Sequence, residues 1–152
     1  MTVLSVAPQI AKKNLKILAT DLDPNILREA QNGIYAEDSV CRLPKETQRR
    51  YFTRLGREHD GQYSVSDELR NLIHFKEMNL TKPWPVKGPF DAVFCRNVVI
   101  YFDDPTKEAI WQRFASVIGA GGWLFIGHSE RVAGAAAHIF KNDGPTSYQH
   151  LG

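Results

Sequence analysis

The chain has 152 residues, 43% of them hydrophobic and 24% charged, with a formal net charge of +2. That length supports one domain with a real core, and the composition is that of a soluble globular protein. So small a charge without a long basic run gives no electrostatic case for nucleic acid, and no apolar run reaches membrane-spanning length.

Met1 to Ala7 lacks the charged and apolar regions of an export signal. Cys41 and Cys95 have no metal-ligand spacing and read as reduced thiols, which suits a cytoplasmic protein. Lys12-Lys13 and Arg49-Arg50 read as solvated faces.

In chain order, Thr2 to Val6 reads as a short strand closed by Pro8, and Lys16 to Leu22 as a clear strand. The gap between them is short for a parallel crossover, which needs roughly a dozen residues including its helix. Asp23-Pro24 starts a helix as N-cap and first helical residue; Ile26, Leu27 and Ala30 face inward, and Asn32-Gly33 stops it.

From Ile34 to about Phe75 the character changes. Thr47 to Leu55 reads as helix and then short strand. Asp60-Gly61 is a hairpin signal before the alternating Gln62 to Val65, and Leu72 to Phe75 reads as another strand. These form an expected inserted antiparallel patch. Pro83-Trp84-Pro85 is a loop.

Ala92 to Cys95 is a short apolar run that suits a parallel strand covered on both faces. Arg96 and Asn97 break it where the strand ends, and ligands of open α/β sheets sit just beyond carboxyl strand ends. A guanidinium and a carboxamide offer donors and an acceptor there. The plainer reading pairs Arg96 with a carboxylate and lets Asn97 close a turn. Asp103 to Thr106 caps a second helix, whose apolar Ala109, Ile110, Phe114, Val117 and Ile118 recur at helical spacing. Gly119, Gly121 and Gly122 are its expected stop, Trp123 to Gly127 a buried strand, and His138 to Lys141 with Thr146 to His150 a closing strand pair.

Alternating strands and helices predict an α/β fold with a mainly parallel sheet. Asp21, at the end of its strand, fits the acidic position that binds ribose hydroxyls in nucleotide-type folds, or else tidies the turn before the helix. His128-Ser129-Glu130 holds the residue types of a hydrolytic triad, but consecutive residues cannot converge as one. No Walker loop, G-x-S-x-G elbow or G-x-G-x-x-G occurs, and the five histidines show no metal spacing.

The chain resembles the chemotaxis-receptor methyltransferase family, the CheR type. The resemblance runs from about Lys16 to Tyr148 and is carried by Ala19 to Asp23, Gly33 to Tyr35, Arg50 to Phe52, Asn79-Leu80, Gly88 to Phe102 and Gly127 to Glu130. Cys95-Arg96-Asn97-Val98-Val99-Ile100-Tyr101-Phe102 is its most specific part. It implies a Rossmann-like class I methyltransferase domain over 1–152, with an inserted β-subdomain at about 34–75. It also implies methyl transfer from S-adenosyl-L-methionine to glutamate carboxylates of chemotaxis receptors, leaving S-adenosylhomocysteine. By the same resemblance Asp21 holds the ribose, Asn79 and Leu80 lie near the adenine, Arg96 and Asn97 line the cofactor cleft, and Tyr101 is close to the transferred methyl. The inserted patch resembles a subdomain that docks a receptor tail in some members. A glutamate carboxylate is ionised at neutral pH and needs no general base, which fits the lack of a catalytic His or Cys.

The sequence departs from the family at one point. Members carry a helical domain and then a strand followed by a small-residue loop, of Thr-Gly-Glu-Glu-Pro-Tyr character, that cradles the methionine part of the cofactor; no such loop occurs here. Val3 to Val6 would be the strand's remnant, with Pro8 to Asn14 replacing loop and helix. The expectation is a truncated domain, impaired as an enzyme and self-associating through an uncovered sheet face. The alternative is a degenerate, non-catalytic module that binds a receptor or partner; a dinucleotide oxidoreductase lacks its glycine fingerprint.

Overall fold

A computed structural model of the chain describes residues 1–11, 15–56 and 59–152. The Lys12-Lys13 pair lies outside the described residues, as does Asn14 in the stretch read as replacing the cofactor loop. Two compact units divide the chain, Met1–Asn79 and Leu80–Gly152.

The first unit opens with helices α1 (Thr2–Val6) and α2 (Pro8–Ala11). The strand expected over Thr2 to Val6 is therefore a helix. A lone strand leaves its amides without partners, whereas here Ser5 and Ala7 N–H donate to the carbonyls of Met1 and Val3 at 3.1 and 2.9 Å. Leu4 supplies the one buried side chain. Strand β1 (Ile17–Asp21) leads into α3 (Pro24–Asn32), whose N-cap Asp23 accepts the Asn25 amide at 2.8 Å and whose C-cap Gly33 sits at φ 62°. Both ends follow the expected capping chemistry.

Next come β2 (Ile34–Ala36), α4 (Glu37–Val40), α5 (Lys45–Tyr51), β3 (Phe52–Arg54), β4 (Gln62–Val65), α6 (Asp67–Arg70) and β5 (Ile73–Glu77). The order β2-β4-β3 makes an antiparallel sheet, with the β3–β4 connection entering β4 through Gly61 at φ 73°. Leu72 to Phe75, expected in that patch, does not belong to it: β5 pairs in parallel with β1, from Ile17↔Ile73 to Asp21↔Glu77. Alternation identifies a strand but not its partner. Leu4, Tyr51 and Leu69 form the core of this unit.

The second unit contains β6 (Phe90–Cys95), a 3₁₀ turn at Val99–Tyr101, α7 (Asp104–Val117), β7 (Ile118–Ile126), a 3₁₀ turn at Gly134–His138, β8 (Phe140–Asn142) and β9 (Ser147–His150). Its sheet runs β6-β7-β9-β8, the first pair parallel and the others antiparallel. The fold is thus α/β with mixed sheets, each unit holding one parallel pair. Asp103 caps α7 through the Thr106 amide at 3.1 Å.

Two details differ from expectation. Helix α7 ends at Val117, and the three glycines that follow lie inside β7. They form an irregularity: Phe90 pairs with Ile118 but Ala92 with Trp123, and Gly121 at φ 76° carries the detour. The run Ala92 to Cys95 is also not covered on both faces. Cys95 is buried with Ile110, Trp111, Phe114, Leu124 and Ile126, whereas Phe94 is 71% exposed and stacks on Phe125 at 4.6 Å. At the edge of its sheet, β6 keeps the alternation of a half-covered strand.

Candidate functional site

The site is best built from the end of β6. After Cys95 the chain cannot continue the ladder, because Asn97 takes the left-handed φ of 60°, the only non-glycine to do so among the described residues. Asparagine tolerates that region better than most side chains. Asn97 therefore closes a turn, as the plainer reading had it. Arg96 is exposed and takes part in none of the salt bridges among the described residues. The Val99–Tyr101 turn follows, Val99 fully buried and Tyr101 81% exposed.

Four consecutive amides of this connection converge on one side chain. Glu130, 4% exposed, accepts Val98, Val99 and Ile100 N–H through Oε1 at 3.1, 2.7 and 3.2 Å. Its Oε2 accepts Asn97 N–H at 3.1 Å and Gly127 N–H at 2.5 Å. Gly127 must lack a side chain, since a Cβ there would fall on the Asn97 amide oxygen and lie 2.8 Å from Glu130 Oε2. Sequence reasoning set Glu130 aside as part of a false triad. The usable signal was a carboxylate three residues beyond a strand's closing glycine, inside the Gly127 to Glu130 match.

Of the six residues singled out by sequence, Arg96, Asn97 and Tyr101 sit on this one connection. Leu80 lies in the same unit, its carbonyl accepting Trp84 Nε1–H at 3.1 Å and Arg113 Nη1–H at 2.5 Å. Asp21 and Asn79 belong to the first unit. Asp21 ends β1, its main-chain carbonyl accepting Met78 N–H and its Oδ1 accepting Asp23 N–H, each at 2.9 Å. A carboxylate has about four lone-pair sites, so this exposed group keeps capacity for hydroxyl donors. Two cavities of about 940 and 740 Å³ lie within the first and second units respectively, and neither is lined by any of the six. No cluster of three or more metal-ligating side chains occurs among the described residues.

Burial, and secondarily the charge of Glu130, pushes the Cys95 thiol up to about 12. A thiol whose folded pKa exceeds its unfolded value stabilises the fold below the unfolded value, here near 9.0, and loses that contribution as pH rises towards 12. Cys41 is exposed and both thiols are free. At pH 8 a pKa of about 12 leaves about one Cys95 thiol in ten thousand as thiolate. Iodoacetamide with mass-spectrometric readout should therefore label Cys41 in the native chain and reach Cys95 only on unfolding. Equal labelling of the two would overturn this burial.

A model of the CheR methyltransferase SAM-binding domain matches residues 1–148. The "Probable chemotaxis protein methyltransferase" of Rhizobium etli is 47% identical over 150 residues, 99% of this chain and 56% of that protein. The "Chemotaxis protein methyltransferase" of Escherichia coli K12 is 43% identical over 116 residues, covering 76% of this chain and 41% of its own length. That of Salmonella typhimurium is 40% identical over 146 residues, covering 95% and 50%. The chain spans about half the length of these curated relatives.

Proposed function

The chain belongs to the CheR methyltransferase family, and from that membership we propose that it takes part in methylating glutamate carboxylates of chemotaxis receptors to glutamyl methyl esters in the cytoplasm. The family's cofactor is S-adenosylmethionine, which supplies an electrophilic methyl group on a sulfonium. The observation that carries the reading is the turn after β6: at the carboxyl end of a parallel strand it leaves a guanidinium, a carboxamide and a phenol exposed, where α/β folds take their ligands.

The residues suit such a cofactor in kind. In this reading Asp21 accepts hydrogen bonds from the ribose hydroxyls, and Asn79 and Leu80 serve the adenine. Arg96 and Asn97 line the cofactor cleft, and Tyr101 orients the substrate carboxylate. A substrate glutamate with an ordinary pKa of about 4.3 arrives ionised, so positioning replaces proton abstraction. Association of two copies through the face carrying Phe94 belongs to the same proposal, and sedimentation analysis checks it. On the reading that the loop cradling the methionine part of the cofactor does not occur in these residues, they should bind the cofactor at least about tenfold more weakly than a relative that has the loop, because each absent hydrogen bond to a charged group costs roughly that factor.

Calorimetric titration with S-adenosylmethionine and, separately, NAD, followed by a radiolabel transfer assay on receptor cytoplasmic domains, tests the reading. Binding of S-adenosylmethionine but not NAD supports it, and preference for NAD sinks it. Asp21→Ala should weaken S-adenosylhomocysteine binding by about 1.5–3 kcal/mol, the range for hydrogen bonds to a charged group. Unchanged affinity with unchanged folding would return Asp21 to the turn residues.

A further inference from the structure

We infer that Glu130 is the positioning residue of the candidate site: its carboxylate fixes the turn that presents Arg96, Asn97 and Tyr101. This rests on the reading of that turn as ligand-facing. A buried carboxylate normally has a cationic partner. Among the described residues Glu130 has none: no salt bridge includes it, and the adjacent Arg131 guanidinium donates instead to the carbonyls of His128 and Glu130 at 2.8 and 2.6 Å. Its charge is met by five main-chain N–H groups. Such a set of converging amides is an anion-binding nest.

The need for this arrangement follows from the backbone. Once Asn97 turns to φ 60°, the amides of Asn97 to Ile100 have left the ladder and no earlier helical turn exists to receive them. A carboxylate delivered from the end of β7, 30 to 33 residues away in sequence, takes all four at once. Gly127 N–H binds the same oxygen as Asn97 N–H, so the ends of the two parallel strands share one acceptor. Glu130 touches no ligand in this scheme. It acts through the turn, which carries an exposed cation on one side and an exposed phenol on the other.

Glu130→Gln separates this role from general packing, since the shape is kept while one acceptor oxygen becomes a donor. Whichever oxygen is replaced, at least two of the five amides then face an NH₂ group. Residue-resolved amide exchange on the full chain should show protection falling at least about tenfold at the turn amides or Gly127, with Ile110, Phe114 and Leu124 unchanged. Affinity for S-adenosylhomocysteine should fall by about tenfold or more. Glu130→Asp, which keeps the charge but withdraws it by one methylene, should be similarly impaired.

Wild-type affinity in both variants overturns the inference, as does protection lost evenly across α7 and β7. If neither variant folds, Glu130 is a general determinant of the fold and the inference fails. Selective loss of protection, together with no binding by the unaltered chain, overturns the cofactor reading instead. The hold of Glu130 on the turn would then stand on exchange alone.

Discussion

Trp111→Ala should cost the Leu80–Gly152 unit about 3–5 kcal/mol, the usual range for removing a large aromatic side chain from a core. Trp111 is 1% exposed and lies 6.1 Å from the Phe114 ring, which in turn meets Trp84 at 4.9 Å. Removing the indole opens a void where α7 meets the sheet, and close-packed neighbours fill such voids only in part. A loss of that size is a large share of the 5–15 kcal/mol typical of a folded domain. Urea denaturation followed by circular dichroism measures it, with Val6→Ala as control. Val6 is 78% exposed, and substitution there should change stability by no more than about 0.5 kcal/mol. A Trp111→Ala effect below about 1 kcal/mol would mean that the indole is not packed into this core.

Gly127→Ala should be comparable, on the order of 3–5 kcal/mol, for a different reason. The added methyl has no room: it meets the Asn97 amide oxygen, the Asn97 nitrogen at 2.9 Å and Glu130 Oε2 at 2.8 Å. Either the Asn97 turn shifts or the carboxylate withdraws from its amides. Overpacking contributes about 1–3 kcal/mol, and each broken hydrogen bond to the charged group about 1.5–3. Thermal melts read the stability loss, and S-adenosylhomocysteine titration should show at least about tenfold weaker binding by whatever remains folded. A near-neutral alanine would show that the turn has slack and that Gly127 is there by chance.

Local signals were the legible part of this fold. Asp23-Pro24, Gly33 and Asp103 marked helix ends because capping is decided within a few residues by side-chain oxygens and a left-handed backbone. The turn at Arg96-Asn97 was legible for the same reason, as an apolar run broken by polar groups. What failed was non-local. Thr2 to Val6 has strand composition but, among the described residues, no strand beside it, and its amides close on themselves as a helix. Leu72 to Phe75 reads as a strand in the sequence but not as the partner of β1, because alternation does not encode pairing. The role of Glu130 is not legible locally, because four of the amides it accepts lie 30 or more residues away. The sequence shows a carboxylate but not the convergence of five donors.

All three tryptophans, Trp84, Trp111 and Trp123, fall in the Leu80–Gly152 unit, and Met1–Asn79 has none. Indole emission on excitation at long wavelength is therefore a private signal of one unit, while far-ultraviolet ellipticity sums over both. Melting curves from the two probes coincide if the units unfold as one cooperative body and separate if they do not. The chain thus carries a built-in optical reporter on the half that bears Arg96, Asn97 and Tyr101, with no label to attach.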